Sequence, residues 1–350
     1  QTDRLESIYL RISRKVAFAA SVSNGLDHDQ AVIGLYNPQQ QGLASILKIF
    51  GLSPGDFTEL AKQHNFARIS EPLHDWQDSR LTSFLADSDV QHLIKTHGLR
   101  NRKLLETYLA QHDFFKTGDA VLVDIGWNGT IQYALEQLPG RKQSADTLWW
   151  FYFAFAGNIP YDFGSKSRVA GLFYDRRQGN DIEKLTADFE EIFEESTRDL
   201  AATTIGYEMT SDRVEPVFKA DSVADRQQEI ACNPRIQQMQ QGILDSADSF
   251  AAAQHLTGFS AADIHPFMLS LLERTVAFPS REEVRQIAIL AHADDFGHDN
   301  IMDFSGLHRS TVSPLRWRRF MAELRHSPWI YGMVFGFIRI CLRFYRLVRS

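Results

Sequence analysis

Cysteine is scarce in this sequence, and long apolar runs are missing. The two cysteines, Cys232 and Cys341, have no second cysteine or histidine cluster at zinc-ligand spacing, which predicts a reducing compartment and no structural metal. In the basic C-terminal region, residues 329–338 form a run of ten without charge, whereas a helix that crosses a bilayer needs about 20. We therefore predict no transmembrane helix.

Several catalytic motifs are also absent. The sequence contains no GxxxxGK[ST] and no GxGxxG, so neither nucleoside triphosphate hydrolysis nor dinucleotide redox chemistry is predicted. The Asp-x-Asp tripeptides at 27–29 and 87–89 do not follow a buried strand, as the nucleophile of a dehalogenase-type phosphatase would. We interpret 87–89 as a helix N-cap rather than as the metal-binding motif of a nucleotide-sugar glycosyltransferase. The acid- and histidine-rich stretch 292–299 is interpreted as a solvated helix end.

The composition is that of a folded protein with one basic end. The 350 residues are 44% hydrophobic and 12% aromatic, which is enough for more than one folding unit. Segment 316–349 has eight arginines and one acid, a net charge of +7, which leaves −14 for the rest of a chain whose total is −7. This profile argues against nucleic acid as a partner and indicates an acidic body with a tail at an anionic surface. Gln1 stands where an initiator Met would, and no apolar signal segment follows, so we expect the natural protein to begin upstream.

A strand–helix–strand pattern marks the centre of the sequence. Ala120–Val123 is a short apolar run, a helical pattern starts at Thr130, and the aromatic run 148–155 follows. Because this spacing is that of a βαβ unit, it predicts a parallel sheet with its crossover on one face. The predicted fold class is therefore α/β, with a Rossmann-like parallel sheet and with inserted and C-terminal helical regions.

Two folded regions are predicted around this unit. A Rossmann-like domain covers 1–220, with a first strand at Ile8–Ile12, a helical insertion at 38–115 and a hairpin around Ser211-Asp212. A helical region covers 221–312, because its apolar residues recur three and four positions apart.

The turn Asp124–Thr130 is the strongest candidate for a functional site. A strand that ends in Asp124, a turn with Gly126 and Gly129, and a helix that starts at Thr130 bring free backbone N–H groups and the positive end of a helix dipole to one point. Such a point binds anions, and open α/β sheets bind ligands at the carboxyl ends of their strands. An ordinary tight turn capped by Thr130 is the alternative interpretation of the same residues.

The order of residues around this turn matches one chemistry. Enzymes that transfer a 5-phosphoribosyl group place a hydrophobic strand, acids for the ribose hydroxyls and a Gly/Thr loop for the 5-phosphate in this order. Here Asp124 would contact the ribose, and Gly126–Thr130 would hold the phosphate, with Trp127 exposed in the turn beside Asn128. The sequence departs from the pattern at Ile125, where a second acid is usual.

Four segments carry a resemblance to a known family. They are the run Val123–Gln132, the earlier Tyr9–Arg14, the aromatic strand around Phe151–Phe153, and Glu190-Glu191-Ile192-Phe193 before Gly206-Tyr207. Together they resemble proteins of bacterial polysaccharide gene clusters known as haloacid-dehalogenase-like hydrolases, over about residues 5–310. The resemblance implies that one module transfers phosphoribose from phosphoribosyl pyrophosphate to a growing glycan, while a dehalogenase-like phosphatase removes the 5-phosphate.

That activity gives further residues a role. Ser13, Arg14 and Lys15 follow the predicted first strand, and the two cations would hold the pyrophosphate unless they form a solvated strand end. Glu190 or Glu191 would bind metal or accept the proton of the acceptor hydroxyl, unless they form a solvated helix face. Mg²⁺ would enter with the pyrophosphate. The alternatives are a nucleotide-sugar-dependent glycosyltransferase and a non-catalytic module of a dehalogenase-like hydrolase.

The basic tail, 313–350, indicates where such an enzyme would act. Arg339, Arg343 and Arg346 recur at i, i+4 and i+7, and aromatic and aliphatic residues cover much of the remaining helical surface. This pattern predicts an amphipathic helix that adsorbs to anionic lipid. We therefore expect a cytoplasmic protein at the inner membrane, beside a lipid-linked glycan acceptor and an upstream phosphatase module; the alternative is a terminal helix packed on protein.

Overall fold

The part of the chain that the structure describes combines many helices with one parallel and two antiparallel sheets. This arrangement confirms the predicted α/β class and the parallel sheet of the βαβ unit. The protein is represented by a computed structural model, which describes residues 7–33, 35, 39–115, 120–136, 138, 148–156, 167–179, 183, 190–287, 290–294, 300–303 and 329.

The helices follow the apolar periodicity of the sequence, and the helical pattern predicted from 38 to 115 is confirmed. Several begin after a side chain that accepts a hydrogen bond from the first turn, as at Ser13, Asp27 and Asp87. The helices are α1 (Arg14–Ser21), α2 (His28–Val32), α3 (Leu43–Ile49), α4 (Thr58–Gln63), α5 (Ser79–Ala86), α6 (Ser88–Gln111), α7 (Thr130–Glu136), α8 (Glu190–Thr197), α9 (Ala224–Thr257), α10 (Ala261–Ala277) and α11 (Arg281–Ile287).

The parallel sheet has the order β1-β2-β3, and its strands are rich in aromatic and β-branched residues. Its register places Ala120 opposite Leu148 and Asp124 opposite Tyr152. The predicted hairpin is confirmed as the antiparallel pair β4–β5. The strands are β1 (Ala120–Trp127), β2 (Leu148–Phe155), β3 (Ser167–Asp175), β4 (Thr204–Met209), β5 (Val214–Phe218), β6 (Ala291–Asp294) and β7 (Asn300–Asp303).

One face of the parallel sheet packs against α1, α6, α7 and the β4–β5 hairpin. Alternate residues of β2 supply this buried face, because side chains of a strand point to opposite sides. Its cluster places Leu148, Trp150 and Tyr152 against Val16 of α1 and Leu135 of α7. The carboxyl ends of β1 and β2 therefore lie beside the first residues of α1 and α7.

The opposite face of the sheet is covered only in part by described residues. Phe193 of α8 packs on Phe153, with 4.6 Å between the ring centroids. Nearer the amino ends of the strands, Val121 and Val123 are 59% and 76% exposed. Helix α8 thus lies over the carboxyl end of the sheet, opposite to α1 and α7.

Two further cores stabilise the helical regions. Helices α1 to α6 enclose a cluster around Phe50, Phe57 and Phe84, which are almost completely buried. A smaller cluster joins α9, α10 and α11 through Ile236 and Val276. None of the described helices is both long and apolar enough to cross a membrane.

The predicted first strand, Ile8–Ile12, is wrong. Residues 7–13 form an irregular segment whose backbone bonds to side chains instead of to a neighbouring strand. The hydroxyl of Tyr108 accepts from Arg11 N at 2.9 Å, and the hydroxyl of Tyr207 donates to Arg11 O at 2.8 Å. Because these two tyrosines satisfy the hydrogen-bonding groups of the Arg11 backbone, the segment does not pair with a strand, although its apolar residues alternate.

The C-terminal prediction is also corrected in part. Within the region predicted as helical from 221 to 312, β6 pairs antiparallel with β7, and Ala293 lies opposite Ile301. The stretch 292–299 is therefore not a helix end, since it begins inside β6; its residues 295–299 lie outside the described residues. The basic tail 313–350 also lies outside them, apart from Trp329, whose indole donates to Val276 O at 2.9 Å.

Replacing Gly98 by alanine is expected to destabilise the protein. A Cβ at Gly98 would lie 2.5 Å from Ser23 N and Val22 C, backbone atoms of the turn that packs on α6. Because this backbone cannot rotate away as a side chain would, we expect Gly98→Ala to lower the free energy of unfolding by about 1–3 kcal/mol. Urea denaturation measures the change.

Gly242→Ala is the matched control. Gly242 lies inside α9, and a Cβ there would meet no atom within 4 Å. This substitution should raise the free energy of unfolding by about 0.5–1 kcal/mol, because alanine loses less backbone entropy in a helix. Stabilisation by both substitutions would contradict the close packing at Gly98.

Candidate functional site

The end of β1 has an unusual backbone. Gly126, Trp127 and Gly129 have φ angles of 108°, 68° and 70°. A positive φ is unfavourable for a tryptophan by roughly 1–2 kcal/mol, and such strain concentrates at functional sites. The strand continues through Trp127, so the turn to α7 consists of Asn128 and Gly129 alone.

Gly126 is required by strand packing. A Cβ on it would lie 2.4 Å from Ala154 O and 2.7 Å from Tyr152 Cβ, both on β2. No larger residue fits between the two strands at this point. Gly126 was expected to allow the backbone to approach a phosphate closely. In the structure, the glycine instead allows β1 to approach β2 closely.

Trp127 is not exposed, contrary to the prediction. Its side chain is 7% exposed and packs with Ala154 and Tyr174. The positive φ at Gly126 and at Trp127 breaks the strand alternation, and the indole is directed into protein. Trp127 therefore cannot act as a solvent-exposed stacking surface in the turn.

Unpartnered polar atoms cluster at this turn. Within the described part of the chain, four buried side-chain atoms have no hydrogen-bond partner, and three of them are Trp127 Nε1, Asn128 Oδ1 and Gln132 Nε2. Gln132 is completely buried. A buried polar atom without a partner costs about 1–3 kcal/mol, so this concentration indicates groups that are kept for a ligand.

Gln132 also connects α7 to the sheet. Its Oε1 accepts a hydrogen bond of 2.8 Å from the hydroxyl of Tyr152. Burial, together with the carboxylates of Asp124 and Glu136, raises the pKa of that hydroxyl, so Tyr152 stays a neutral donor. Rotation of the amide would exchange its two ends but would still leave one of them without a partner.

Asp124 is the titratable group at the centre of the site. Its pKa is raised to about 6, mainly by burial and in part by the nearby carboxylate of Glu194, while backbone N–H groups and the Arg14 guanidinium oppose the shift. Asp124 as a whole residue keeps some exposed surface, but its carboxyl group is surrounded by protein. The burial of the carboxyl group therefore determines the direction of the pKa shift. Arg14 from α1 and Glu194 from α8 thus act on one carboxyl at the sheet edge.

Arg14 and Lys15 are not at the end of a strand, as predicted, but in the first turn of α1. Ser13 is the N-cap of this helix: its hydroxyl accepts from Val16 N at 3.3 Å and donates to Thr204 O at 2.7 Å. Its hydrogen-bonding capacity is therefore used by the protein. Of the three, Arg14 is the one that influences Asp124.

The two glutamates chosen from the sequence are the first residues of α8, and their side chains lie outside the described residues. Glu190 and Glu191 therefore stay predictions. Sequence reasoning missed Glu194, which follows them by four and three positions and so lies one helical turn further along α8. Thr130 is the first residue of α7, and the preceding Gly129 accepts from Tyr133 N at 2.9 Å, so Thr130 is not the N-cap.

The described residues contain no group of three or more side chains that would hold a metal ion. At the first Asp-x-Asp tripeptide, Asp27 caps α2 by accepting from Gln30 N at 2.8 Å. At the second, Asp87 caps α6, as predicted, and its Oδ2 lies 3.0 Å from Nε2 of His64. Both tripeptides are thus explained by helix capping.

Two cavities lie elsewhere. One of about 220 Å³ is lined by Ser13 with Arg11 and Arg198, and one of about 440 Å³ lies between α1, α6 and α7. Asp124 lines neither of them. The group around Asp124 is therefore a polar site at the carboxyl edge of the sheet, separate from both cavities.

Asp124→Asn is expected to stabilise the protein at high pH. The folded-state pKa of about 6 exceeds the ordinary 3.8, so the native state gains stability from this carboxyl at low pH and loses it as the pH rises through 4–6. At pH 8 the variant should be more stable than the wild type by about 1–3 kcal/mol, and at pH 4 the difference should vanish. Urea titrations at both pH values measure it.

Asp78→Asn is the control of opposite sign. The Arg80 guanidinium holds the pKa of this buried carboxyl well below its usual range, so its contribution to stability is lost as the pH falls. Asp78→Asn should destabilise the protein at pH 8, and the loss should shrink on acidification. A destabilised Asp124→Asn variant at pH 8 would contradict the burial of the Asp124 carboxyl.

A double substitution tests the bond between α7 and β2. Gln132→Leu leaves the hydroxyl of Tyr152 buried without its acceptor, a cost of about 1–3 kcal/mol that removal of the unpartnered Gln132 Nε2 offsets in part. Adding Tyr152→Phe removes the hydroxyl and should recover most of this loss, because both polar groups are then gone. A double-mutant cycle measures the coupling; additive losses would show that the two side chains do not interact.

Comparison with known proteins assigns this chain to no family. No family model matches the sequence, and no curated protein matches it significantly. The residues that bear on the function of the site are Asp124, Arg14, Glu194 and those with unpartnered atoms in and after the turn.

Proposed function

We propose that this protein is a glycosyltransferase that transfers a 5-phosphoribosyl group from phosphoribosyl pyrophosphate to a glycan acceptor in bacterial polysaccharide biosynthesis. The observation that carries the proposal is the buried carboxyl of Asp124 at the carboxyl edge of a parallel sheet, which interacts electrostatically with Arg14 and Glu194. Open α/β sheets bind ligands at this edge. The proposal also takes the three described strands as part of a Rossmann-like sheet.

The charges at the edge suit a sugar with an anionic leaving group. A carboxylate binds the paired hydroxyls of a ribose as an acceptor, and a guanidinium binds phosphate oxygens through several N–H groups. Asp124 takes the first role and Arg14 the second, assisted by Lys15, which is half-buried one residue later. The unpartnered Trp127 Nε1 and Gln132 Nε2, on the turn and helix that follow Asp124, are further donors.

The reaction breaks the bond between C1 of the ribose and the pyrophosphate oxygen, which leaves with the electron pair. The acceptor hydroxyl oxygen forms the new bond to C1, and its proton passes to a carboxylate. With a pKa of about 6, Asp124 is ionised at neutral pH and is a stronger base than an ordinary aspartate. Glu194, on the neighbouring helix α8, stabilises the protonated form of Asp124 because it disfavours a second negative charge.

The residues present also fit Mg²⁺ as a companion of the donor. Asp124 and Glu194 offer hard carboxylate oxygens, which are the ligands that Mg²⁺ prefers. Bound with the pyrophosphate, Mg²⁺ would neutralise the charge that develops on the leaving group. Arg14 would act on the same charge from α1.

The alternative of a nucleotide-sugar glycosyltransferase has less support. Such an enzyme would use the Asp87–Asp89 tripeptide for its metal, but both oxygens of Asp87 are in use. Oδ1 accepts from Asp89 N and Val90 N, and Oδ2 lies 3.0 Å from His64 Nε2. A non-catalytic module of a dehalogenase-like hydrolase is the other alternative, and it predicts no small ligand at Asp124.

The proposal includes a place at the membrane. Segment 313–350 carries eight arginines and one acid, and each basic residue near an anionic lipid surface contributes about 1 kcal/mol of attraction. Attachment through this segment would bring the site to a lipid-linked acceptor at the cytoplasmic face of the inner membrane. An upstream phosphatase module would then remove the 5-phosphate.

Binding of the donor tests the proposal. Phosphoribosyl pyrophosphate with Mg²⁺ should raise Tm of the full chain, by the equivalent of about 2.7 kcal/mol at a concentration 100-fold above Kd. Asp124→Asn and Arg14→Gln should abolish the shift. Because Asp124→Asn is expected to be more stable at pH 8, loss of the shift cannot be attributed to an unfolded variant.

The alternatives have their own outcomes in the same assay. Asp89→Asn, which changes an exposed residue of α6, is the matched control and should keep the full shift. A shift with a nucleoside diphosphate that is lost in Asp89→Asn would favour the nucleotide-sugar enzyme. If the donor leaves Tm of the wild type unchanged, the proposed activity is contradicted.

A further inference from the structure

A second polar site lies away from Asp124. The cavity of about 440 Å³ is formed by the carboxyl-terminal end of α1, the turn after it, α6 and α7. Its volume is within the range of about 300–1,000 Å³ that is usual for small-molecule sites. Ala134 and Leu138 line it, whereas Gln132 and Thr130, earlier on the same α7, do not.

The walls of this cavity are held firmly in place. The amide of Gln91 accepts from Leu26 N at 3.1 Å and donates to Leu26 O at 2.8 Å and to Leu85 O at 2.7 Å. A Cβ on Gly25, whose φ is 110°, would lie 2.5 Å from the same amide, so the loop fits closely against α6. The cavity is therefore preformed rather than assembled by a ligand.

One wall carries two cations. Lys95 and Arg102 are seven residues apart on α6 and thus lie on one face of the helix. Within the part of the chain that is described, Lys95 makes no ion pair, and one N–H of Arg102 donates to Ser23 Oγ at 3.1 Å. The nearest acid to Arg102 is Glu106, at 3.9 Å, so most of the guanidinium donors stay available.

The rest of the polar lining is mostly neutral. Asn24 and Gln30 belong to it, and their side chains have no hydrogen-bond partner among the described residues. Asp27 is the one acid of the lining, and its Oδ1 is used to accept from Gln30 N at 2.8 Å. The cavity thus offers two cations together with amides and a carboxylate oxygen.

We propose that this cavity binds a small hydroxylated molecule with a phosphate group, such as a sugar phosphate. Lys95 and Arg102 bind the phosphate, since ammonium and guanidinium groups form strong charge-assisted hydrogen bonds with its oxygens. Asp27, Asn24 and Gln30 bind the hydroxyls, for which a carboxylate and amides are suitable partners. Leu26 and Leu85 cover the apolar face of the ring. This site does not depend on the function proposed for Asp124.

Calorimetric titration of the full chain with glucose 6-phosphate tests the proposal. Lys95→Gln and Arg102→Gln should each weaken binding by about tenfold or more, the usual effect of losing a hydrogen bond to a charged group. Lys103→Gln is the matched control, because Lys103 follows Arg102 on α6, is exposed and does not line the cavity. It should leave the affinity unchanged. Lys95 is also exposed, so its replacement should not unfold the protein.

Glucose and inorganic phosphate separate the two parts of the ligand. Glucose should not bind measurably, and inorganic phosphate should bind more weakly than glucose 6-phosphate. Equal affinity for inorganic phosphate would overturn the assignment of a hydroxylated ligand. Absence of glucose 6-phosphate binding at millimolar concentration, or equal losses in Lys95→Gln and Lys103→Gln, would overturn the site.

The Asp124 site serves as an internal check. Asp124→Asn should leave glucose 6-phosphate binding unchanged, because Asp124 does not line the cavity. If Asp124→Asn abolishes binding and Lys95→Gln does not, the ligand occupies the sheet edge. That result would overturn the cavity site and would leave the proposal for Asp124 standing.

Discussion

The contact between β1 and β2 at Gly126 determines the geometry of everything around it. A Cβ there would lie 2.4 Å from Ala154 O, so only glycine allows the strands to approach this closely. The chain leaves β1 through positive φ angles at Gly126, Trp127 and Gly129, and the indole of Trp127 is directed into protein. Helix α7 begins directly after the turn, which brings Gln132 to the hydroxyl of Tyr152. Asp124 is thereby fixed two residues before the reversal.

The site combines features that disfavour folding. An aspartate with a raised pKa, a tryptophan with positive φ and unpartnered atoms of Trp127, Asn128 and Gln132 all lie between positions 124 and 132. Each of them reduces stability by an amount on the order of 1–3 kcal/mol, and the packing of Tyr152 and its aromatic neighbours must offset the sum. Such a concentration within nine residues is typical of sites where function, rather than stability, determines the residues.

Local patterns predicted the elements, while long-range contacts determined the site. Spacing in the sequence was sufficient for the βαβ unit, the β4–β5 hairpin and the cap at Asp87, because each depends on neighbouring residues. The strand predicted at Ile8–Ile12 failed because hydrogen bonds from Tyr108 and Tyr207, 97 and 196 positions from Arg11, satisfy its backbone instead. No local pattern contains those partners.

The same distinction applies to the site residues. Asp124 and its turn could be predicted because their residues are contiguous in the sequence. Arg14 was chosen for its charge alone. The position of Arg14 relative to Asp124 depends on the packing of α1 against α7, which the sequence does not show. Trp127 was expected at the surface because nothing in the local sequence indicates that a tryptophan adopts a positive φ angle. That angle turns the indole into the protein. Glu194 was missed because the phase of α8 decides which of several glutamates faces the sheet, and that phase depends on the contact of Phe193 with Phe153.

Local charge decides whether an acidic protein suits the two anion sites proposed for it. The chain has a net charge of −7, which repels a phosphate at long range. At physiological ionic strength, however, charges more than about 8 Å away are largely screened, so the sign of the potential at a site depends on its immediate neighbours. At the sheet edge Arg14 acts beside two carboxylates, Asp124 and Glu194, whereas in the cavity Lys95 and Arg102 outnumber the one lining acid, Asp27. The cavity therefore has an excess of cations, whereas at the sheet edge the Mg²⁺ proposed to enter with the donor would balance the two carboxylates.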